Sequence, residues 1–326
     1  MRISMRSTLV LLPLALACSG EGQGEPVRVR VPEGASFAQV ADSLSARDII
    51  SAPWAFSIYA RAAGKADRVK PGTYAFRPGA GWSRLLDDLV AGRILTFRLV
   101  VPEGFDIDDI APRIAEVSGT SVDSIRALLL DSAFAASMGV PGPTMEGYLY
   151  PATYTLPVDT RAESVVETMV ESYREAWTEE RRAAAQQRGM TERQVVTLAS
   201  IIEKEARQRD EMPLISAVYH NRLRIGMALQ ADPTVQYALG VHRERLLYSS
   251  IDSVADHPYN TYRRRGLPPG PIGSPSARAI DATLAPADTS VLYFVARPDG
   301  SHVFTRTLDE HNRAKASIRR ATAGSR

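Results

Sequence analysis

The four residues Val31-Pro32-Glu33-Gly34 recur 70 positions later as Val101-Pro102-Glu103-Gly104. Each copy follows a strand-like run and precedes apolar residues at helical spacing, and Pro and Gly are the residues that most often end regular structure. The repeat is too long and too degenerate to indicate a solenoid. It predicts instead two strand–turn–helix units, each of which opens a different part of the chain.

The chain length also favours two parts, because 326 residues are roughly twice a usual domain of about 150. Hydrophobic residues make up 44% and charged residues 23% of the chain, a mixture typical of globular proteins. We therefore predict an α+β fold, in which a small module over residues 27–96 is followed by a larger, mixed α/β domain over residues 97–318. Residues 319–326 are predicted to form a flexible tail.

Within the small module, alternating valines over 27–31 predict a strand, and the apolar spacing over 83–91 predicts a helix that ends before Gly92. In the larger domain, the turn residues 297–301 lie between two strand-like runs and predict a hairpin. Three aromatic residues of the small module are interpreted as parts of its core: Trp54, Phe56 and Tyr59.

The amino terminus has the features of an export signal. Two arginines precede the apolar run Leu9–Ala17, which small residues and Cys18 follow. Nine apolar residues are too few to span a hydrocarbon core, which needs about 20. Residues 14–18 resemble a bacterial lipobox, so we predict that 1–18 form the signal, that Cys18 is lipidated and that 19–26 form a linker. The alternative is a plain signal peptide that is cut near Ala17. Both place the mature protein outside the cytoplasm.

Composition and motifs exclude several chemistries. A net charge of +2 is too balanced for a nucleic-acid-binding surface over the whole molecule, and one cysteine allows no intrachain disulfide. The chain has no serine-nucleophile, phosphate-loop or dinucleotide motif, and its five histidines form no His-Glu-x-x-His. We therefore expect neither a metal nor a cofactor, and carboxylates are left as the candidate catalytic groups.

The strongest candidate region is a helix that begins with a Thr191–Gln194 capping box and continues to Glu205. At about 100° per residue, Glu203 and Glu205 lie on opposite flanks of the apolar face and cannot act as a facing pair. Glu203 lies at the edge of the apolar face, where desolvation would raise its pKa and keep it protonated as a general acid. The alternative is that both are solvated glutamates beside a core helix.

A second cluster spans residues 219–234 and 259–272. Asp232 before Pro233 is predicted to be a helix N-cap, which gives it a structural role beside any catalytic one. The Pro-rich loop 266–272 and the nearby amide and aromatic groups suit sugar recognition.

Seven collinear motifs over about residues 30–315 make the chain resemble the endolytic murein transglycosylases of the MltG (YceG-like) type. They are Glu146–Pro151, Ala199–Glu205, Asn221–Leu223, Leu229–Thr234, Tyr259–Tyr262, Gly266–Ile272 and Tyr293–Ala296. The resemblance implies that the small module is LysM-like. It also implies that Glu203 protonates the MurNAc–GlcNAc glycosidic oxygen and then, as a base, helps the muramic 6-hydroxyl to close a 1,6-anhydro ring.

The same resemblance implies a groove for peptidoglycan glycan strands, in which the enzyme limits the length of nascent chains at the membrane of the cell envelope, with peptidoglycan synthases as partners. Its expected lining and wall residues are Glu146, Asn221, Gln230, Asp232, Thr234, Asn260 and Tyr262. Two features depart from the family: Ala152 replaces the usual Asp, and a lipobox replaces the usual transmembrane anchor. The lipobox leaves open which membrane the protein occupies.

Two other functions are compatible with the sequence. One is a noncatalytic murein-binding lipoprotein. The other is a hydrolase with a second carboxylate, for which Asp232 or Glu146 is the candidate.

Overall fold

The computed structural model describes residues 22–241 and 246–324. Cys18 and the predicted export signal lie outside the described residues. The chain divides into two compact units. The first comprises the described residues through Phe97 together with Thr155–Asp159, and the second comprises Arg98–Tyr154 and the residues from Thr160 onward.

The first unit is built on an antiparallel strand pair with two helices between its strands in sequence. Val27 lies opposite Phe76, and Val31 lies opposite Gly72. In chain order its elements are β1 (Val27–Val31), α1 (Phe37–Ser45), α2 (Pro53–Ala62), β2 (Gly72–Phe76) and α3 (Trp82–Ala91). The strand at 27–31 and the helix that ends before Gly92 are therefore confirmed.

The core of the first unit contains Phe56 but not Trp54. Phe56 is fully buried, and its ring lies 5.6 Å from the ring of Trp82. Trp54 is 71% exposed, so its interpretation as a core residue is wrong. Residues that are two positions apart in a helix point in directions about 200° apart around its axis. Burial of Phe56 therefore turns Trp54 toward solvent.

Helices dominate the second unit. Strands β3 (Thr96–Val100) and β4 (Thr153–Pro157) pair with each other, and each includes residues of both units. The other elements of the second unit are, in chain order, α4 (Ile107–Ser118), α5 (Val122–Leu130), α6 (Ser132–Ser137), α7 (Ala162–Ala176), α8 (Glu179–Gln187), α9 (Glu192–Glu205), α10 (Met212–Arg224), α11 (Asp232–Leu239), α12 (Tyr248–Ser253), α13 (Ala277–Leu284), β5 (Tyr293–Ala296), β6 (His302–Thr305) and α14 (Leu308–Gly324). The hairpin prediction is confirmed, since β5 and β6 pair antiparallel with Tyr293 opposite Thr305. Helices together with antiparallel strand pairs confirm the α+β class.

Helix α9 is the centre of the second unit. Every residue from Val195 to Ile202 is buried, and α8, α10, α11 and α13 pack around it. A helix that is buried on all sides is a rigid support, because its side chains have no room to move. Its last turn leaves the core and carries Glu203 and Glu205.

The Val-Pro-Glu-Gly repeat corresponds to a repeated local structure. Both glycines adopt left-handed backbone angles, with φ of +72° at Gly34 and +78° at Gly104. The helix that follows each copy begins with a capping box, at Ser36 in α1 and at Asp106 in α4. Each copy therefore ends a strand and starts a capped helix.

At the carboxyl end, α14 continues to Gly324. Residues 319–324, which the sequence predicts as part of a flexible tail, are therefore helical. The segment is rich in Ala and Arg, two of the best helix formers, and this favours continuation of the helix. Among the described residues, no helix combines the length and the apolar character that a membrane span requires.

Candidate active site

Helix α9 fixes the position of Glu203. The Thr191 backbone N–H donates to the Gln194 side chain at 2.8 Å, and the Gln194 backbone N–H donates to the Thr191 hydroxyl at 3.3 Å. The predicted capping box is thus present and sets where the helix begins. Because the following residues are buried, the register of the helix directs Glu203 to the edge of the core, where it is partly buried.

Ser276 is the hydrogen-bonding partner of Glu203. The Ser276 backbone N–H donates to Glu203 Oε2 at 2.9 Å, and the Ser276 hydroxyl donates to the same oxygen at 2.5 Å. Ser276 is the N-cap of α13, where its Oγ accepts from the Ala279 N–H at 3.2 Å. Within the described part of the chain, Glu203 Oε1 has no hydrogen-bond partner, so this oxygen can carry a proton to a ligand.

Two opposing effects set the pKa of Glu203. Burial raises the pKa above its usual value, whereas the two hydrogen bonds from Ser276 lower it by stabilising the carboxylate. The charge of Glu103 raises the pKa and that of Arg209 lowers it. Arg209 and Glu103 form an ion pair with an N–O distance of 2.5 Å. The net shift is upward, as the sequence predicts for a carboxyl group at the edge of an apolar face.

Two glycines allow Ser276 to reach Glu203. The Gly104 N–H donates to the Ser274 carbonyl at 2.8 Å, and the Ser274 N–H donates to the Phe105 carbonyl at 2.7 Å. A Cβ at Gly273 would lie 2.6 Å from the Gly104 carbonyl oxygen, so only glycine permits this close approach. The loop after Gly104 and the segment before α13 therefore lie side by side next to α9.

Sequence reasoning missed the contribution of Ser276. A serine directly before an apolar helical segment is a helix-start signal, and it could have identified the cap of α13. It could not have identified the contact with Glu203, because the two residues are 73 positions apart.

Glu205 lies on the opposite flank of α9, as predicted, and has different partners. The Tyr219 hydroxyl donates to Glu205 Oε1 at 3.0 Å. Burial and the charge of Asp232 raise the pKa of Glu205 to about 7. The two glutamates thus face different surroundings and do not form a pair.

Three of the predicted site residues lie near the start of α11. Asp232 is the first residue of that helix and Ala231 is the N-cap, without a side-chain cap, so the prediction that Asp232 is the N-cap is wrong. The Asp232 carboxylate instead accepts a hydrogen bond from the Tyr262 hydroxyl. Gln230 is exposed and has a φ of +50°, a strained conformation of the kind often found at binding sites.

Three others use their polar groups within the protein. Asn221 donates to the Thr289 and Val291 carbonyls at 2.8 and 3.0 Å. The remaining two are fully buried: Thr234, whose Oγ1 lies 2.8 Å from that of Thr261, and Asn260, which donates to the Ile251 and Val254 carbonyls at 2.9 and 3.0 Å. These side chains hold loops in place.

Glu146 lies in a tight turn against α9. Gly147 has a φ of +82°, and a Cβ there would lie 2.4 Å from Pro271. Glu146 is 5% exposed. Its Oε2 accepts from the Ile107 N–H at 3.3 Å and from the Tyr237 hydroxyl at 3.2 Å, whereas its Oε1 is buried without a partner among the described residues. Burial raises the pKa of Glu146 to about 8.

Over residues 22–241 and 246–324, no three His, Cys, Asp or Glu side chains are arranged to hold a metal ion. The fold and the site define an α+β protein with a carboxylic acid, one oxygen of which is free, at the end of a buried helix.

The chain belongs to the YceG-like family, whose model matches residues 29–317. It is 33% identical over 305 residues to the endolytic murein transglycosylase of Bacillus subtilis, covering 89% of this chain and 84% of that protein. It is 28% identical to the endolytic murein transglycosylase of Streptococcus pneumoniae, covering 88% of this chain and 57% of that protein. The crystal structure of a YceG-like protein from Listeria monocytogenes matches with a TM-score of 0.62 and 32% identity, covering 90% of this chain and 100% of that one.

Proposed function

We propose that this protein is an endolytic lytic transglycosylase that cuts nascent peptidoglycan strands and so limits their length. The observation that carries the proposal is Glu203, a partly buried carboxyl group with a raised pKa and a free Oε1. The similarity of the chain to relatives named endolytic murein transglycosylase supports the same activity.

In the first step, Glu203 acts as a general acid. Its free Oε1 gives its proton to the glycosidic oxygen between MurNAc and GlcNAc, and the bond between this oxygen and C1 of MurNAc breaks. The raised pKa favours this step, because the acid must still hold its proton near neutral pH. The resulting carboxylate is stabilised by Ser276, whose N–H lies at the positive end of α13.

In the second step, Glu203 acts as a base. It takes the proton from the 6-hydroxyl of the same muramic residue while that oxygen bonds to C1, which gives a 1,6-anhydro end and consumes no water. The nucleophile is part of the sugar, so one carboxyl group suffices, whereas most glycosidases need two across the bond. Glu203 is bonded to Ser276, whereas Glu205 is bonded to Tyr219, so the two carboxyl groups do not face each other. This arrangement supports a mechanism that uses one glutamate.

We assign the predicted substrate residues to two roles. Gln230, Asp232 and Tyr262 line the groove, because Gln230 and Asp232 are exposed and Tyr262 is partly buried. Asn221, Thr234 and Asn260 build its wall, because their polar groups are bonded to neighbouring loops. Glu146 is buried and lines a cavity between the start of α4 and helix α11.

The remaining proposals concern anchoring and the first unit. The β1–α1–α2–β2 order with paired antiparallel strands supports a LysM-like module that holds glycan. We place the protein in the cell envelope, attached through a lipid on Cys18, with its catalytic part in the periplasm beside peptidoglycan synthases. Mass spectrometry of the mature amino terminus tests the anchor, because an unmodified terminal residue would contradict it.

Product analysis tests the proposed activity. Purified protein is incubated with glycan strands, and the fragments are separated and weighed. Internal cleavage with 1,6-anhydro ends is the expected result. Reducing ends would indicate a hydrolase, and intact strands would indicate a noncatalytic binding protein.

A further inference from the structure

A cavity of about 760 Å³ lies within the second unit, between the start of α4 and helix α11. Four carboxylate side chains line it: Asp106, Asp108, Asp109 and Glu146. Two of these have cationic partners, with Asp106 lying 3.5 Å from Lys204 and Asp108 lying 2.9 Å from Arg126. Among the described residues, Asp109 and Glu146 form no ion pair, so the lining carries an excess of acidic groups.

Glu146 supplies the second observation. It is 5% exposed, and its Oε1 has neither a hydrogen-bond partner nor contact with solvent in the described part of the chain. A buried polar atom without a partner costs about 1–3 kcal/mol. Proteins seldom tolerate this cost without a reason, and a ligand that donates to Oε1 would remove it.

We propose that this cavity binds a primary ammonium group, namely the free amine on the peptide stem of uncrosslinked peptidoglycan. The assignment rests on the proposed function and specifies which strands the enzyme selects. An ammonium is a compact cation with three donors, which suits the free oxygen of Glu146 and the carboxylate of Asp109, which has no ion-pair partner among the described residues. A crosslink at this amine converts it into an amide, which has no positive charge, so a stem that has accepted a crosslink loses the interaction.

The charge state of Glu146 agrees with such a ligand. Burial and the charge of Asp106 raise the pKa of Glu146 to about 8, so the carboxyl group carries a proton at neutral pH. An ammonium at Oε1 lowers this pKa, because an adjacent cation favours the carboxylate, and the proton is released to solvent as the cation binds.

The cavity lies within reach of a stem peptide on the muramic residue at Glu203. Lys204, which lines the cavity, directly follows Glu203 in α9. Gly104 approaches the Glu203 side chain closely, since a Cβ there would lie 3.6 Å from its Cγ. Asp106, which lines the cavity, is two residues after Gly104, so the backbone distance between them is at most about 7 Å. A stem of three residues spans roughly 10 Å when extended, so one strand can occupy both sites.

The test compares two preparations of the same uncrosslinked strands, one with free stem amines and one with the amines acetylated. For the wild-type full chain, we expect kcat/KM and binding affinity to be about tenfold or more higher for the free amine, since a hydrogen bond between charged groups is worth about 1.5–3 kcal/mol. In Glu146→Gln this ratio falls toward one, because the neutral amide cannot hold a cation. The matched control is Glu116→Gln on the same helix α4, where Glu116 is exposed, and it keeps the wild-type ratio.

Equal cleavage and equal binding of the two preparations by the wild-type chain would overturn the inference and leave the proposed function intact. A preference that survives in Glu146→Gln would overturn it as well, since the cation would then bind elsewhere. If neither preparation is cleaved, the proposed function fails instead, and the binding ratio still decides whether the cavity selects the amine.

Discussion

Ser276 and Glu203 are joined by two hydrogen bonds to a single carboxylate oxygen, from the backbone N–H at 2.9 Å and from the hydroxyl at 2.5 Å. The helix cap of α13 is therefore also the support of the candidate acid. Because both donors meet Oε2, the lone pairs and the proton of Oε1 are left for the substrate.

Glu203→Gln should abolish cleavage while the fold is retained. The amide cannot give a proton to a leaving group, and loss of a general acid costs about 10²–10⁴-fold in rate. Its oxygen can still accept both bonds from Ser276, so we expect the free energy of unfolding to change by less than about 1 kcal/mol. Glu205→Gln, on the opposite flank of α9, should have a milder effect. Activity on glycan strands and denaturant unfolding measure the two effects, and full turnover by Glu203→Gln would reject its catalytic role.

Ser276→Ala should raise the pKa of Glu203 and weaken α13. The hydroxyl favours the carboxylate, so its loss moves the alkaline limb of the kcat/KM profile, which requires the protonated acid, to higher pH. Loss of the cap should also cost about 1 kcal/mol of stability. Ser276→Thr keeps a hydroxyl and should restore both properties. A profile that stays at its wild-type position in Ser276→Ala would show that the hydroxyl does not tune Glu203.

Glu146→Gln should make stability less dependent on pH. The pKa of Glu146 is about 8 in the folded protein, against 4.5 as its ordinary value. The folded state therefore holds the proton more tightly, and this stabilisation is complete below pH 4.5 and is lost as the pH rises to about 8. The slope is at most about 1.4 kcal/mol per pH unit for one group. Denaturant unfolding at pH 5, 6, 7 and 8 measures it, and Glu116→Gln should keep the wild-type slope. An unchanged slope in Glu146→Gln would contradict the buried, protonated state.

Asn260→Ala should lower mainly the stability of the protein, as expected of a wall residue. Gln230→Ala should lower mainly kcat/KM, as expected of a residue that lines the groove. Asn260 is fully buried and holds two carbonyls as well as the Tyr262 N–H, at 3.1 Å from its Oδ1, so its removal should cost about 2–4 kcal/mol. Gln230 is exposed, and its truncation should change stability by less than about 0.5 kcal/mol but lower kcat/KM. Thermal unfolding together with strand cleavage distinguishes the two, and unimpaired cleavage by Gln230→Ala would remove that residue from the groove.

Phe56→Ala and Trp54→Ala, both in the first unit, should differ sharply in their effect on the free energy of unfolding. Phe56 is fully buried, so its truncation should cost about 3–5 kcal/mol. Trp54 is 71% exposed, and its truncation should cost less than about 0.5 kcal/mol. Calorimetric unfolding of both variants provides the comparison. A large loss of stability in Trp54→Ala would contradict the exposed position of this ring and would mean that it packs against other residues in solution.

Local features were predictable where the residues that determine them all lie within one short segment of the chain. The Thr191–Gln194 box, the stop at Gly92 and the hairpin around 297–301 each depend on neighbouring residues, and each is present. Errors occurred where a neighbouring element decides the outcome. Trp54 has the apolar character of a core residue, but the packing of Phe56 turns it outward, and Asp232 bonds to Tyr262 instead of capping its helix.

By itself, the sequence determined the α+β class, the family motifs and the flank of α9 on which Glu203 lies, because helical periodicity and capping act over a few residues. Only the tertiary structure decided which groups surround that carboxyl. Ser276 is 73 positions away from Glu203, and Glu146 accepts hydrogen bonds from Ile107 and Tyr237, which are 39 and 91 positions away from it. Such contacts depend on how whole helices and loops pack, and a hydrogen bond between distant residues has no periodic signature in the chain.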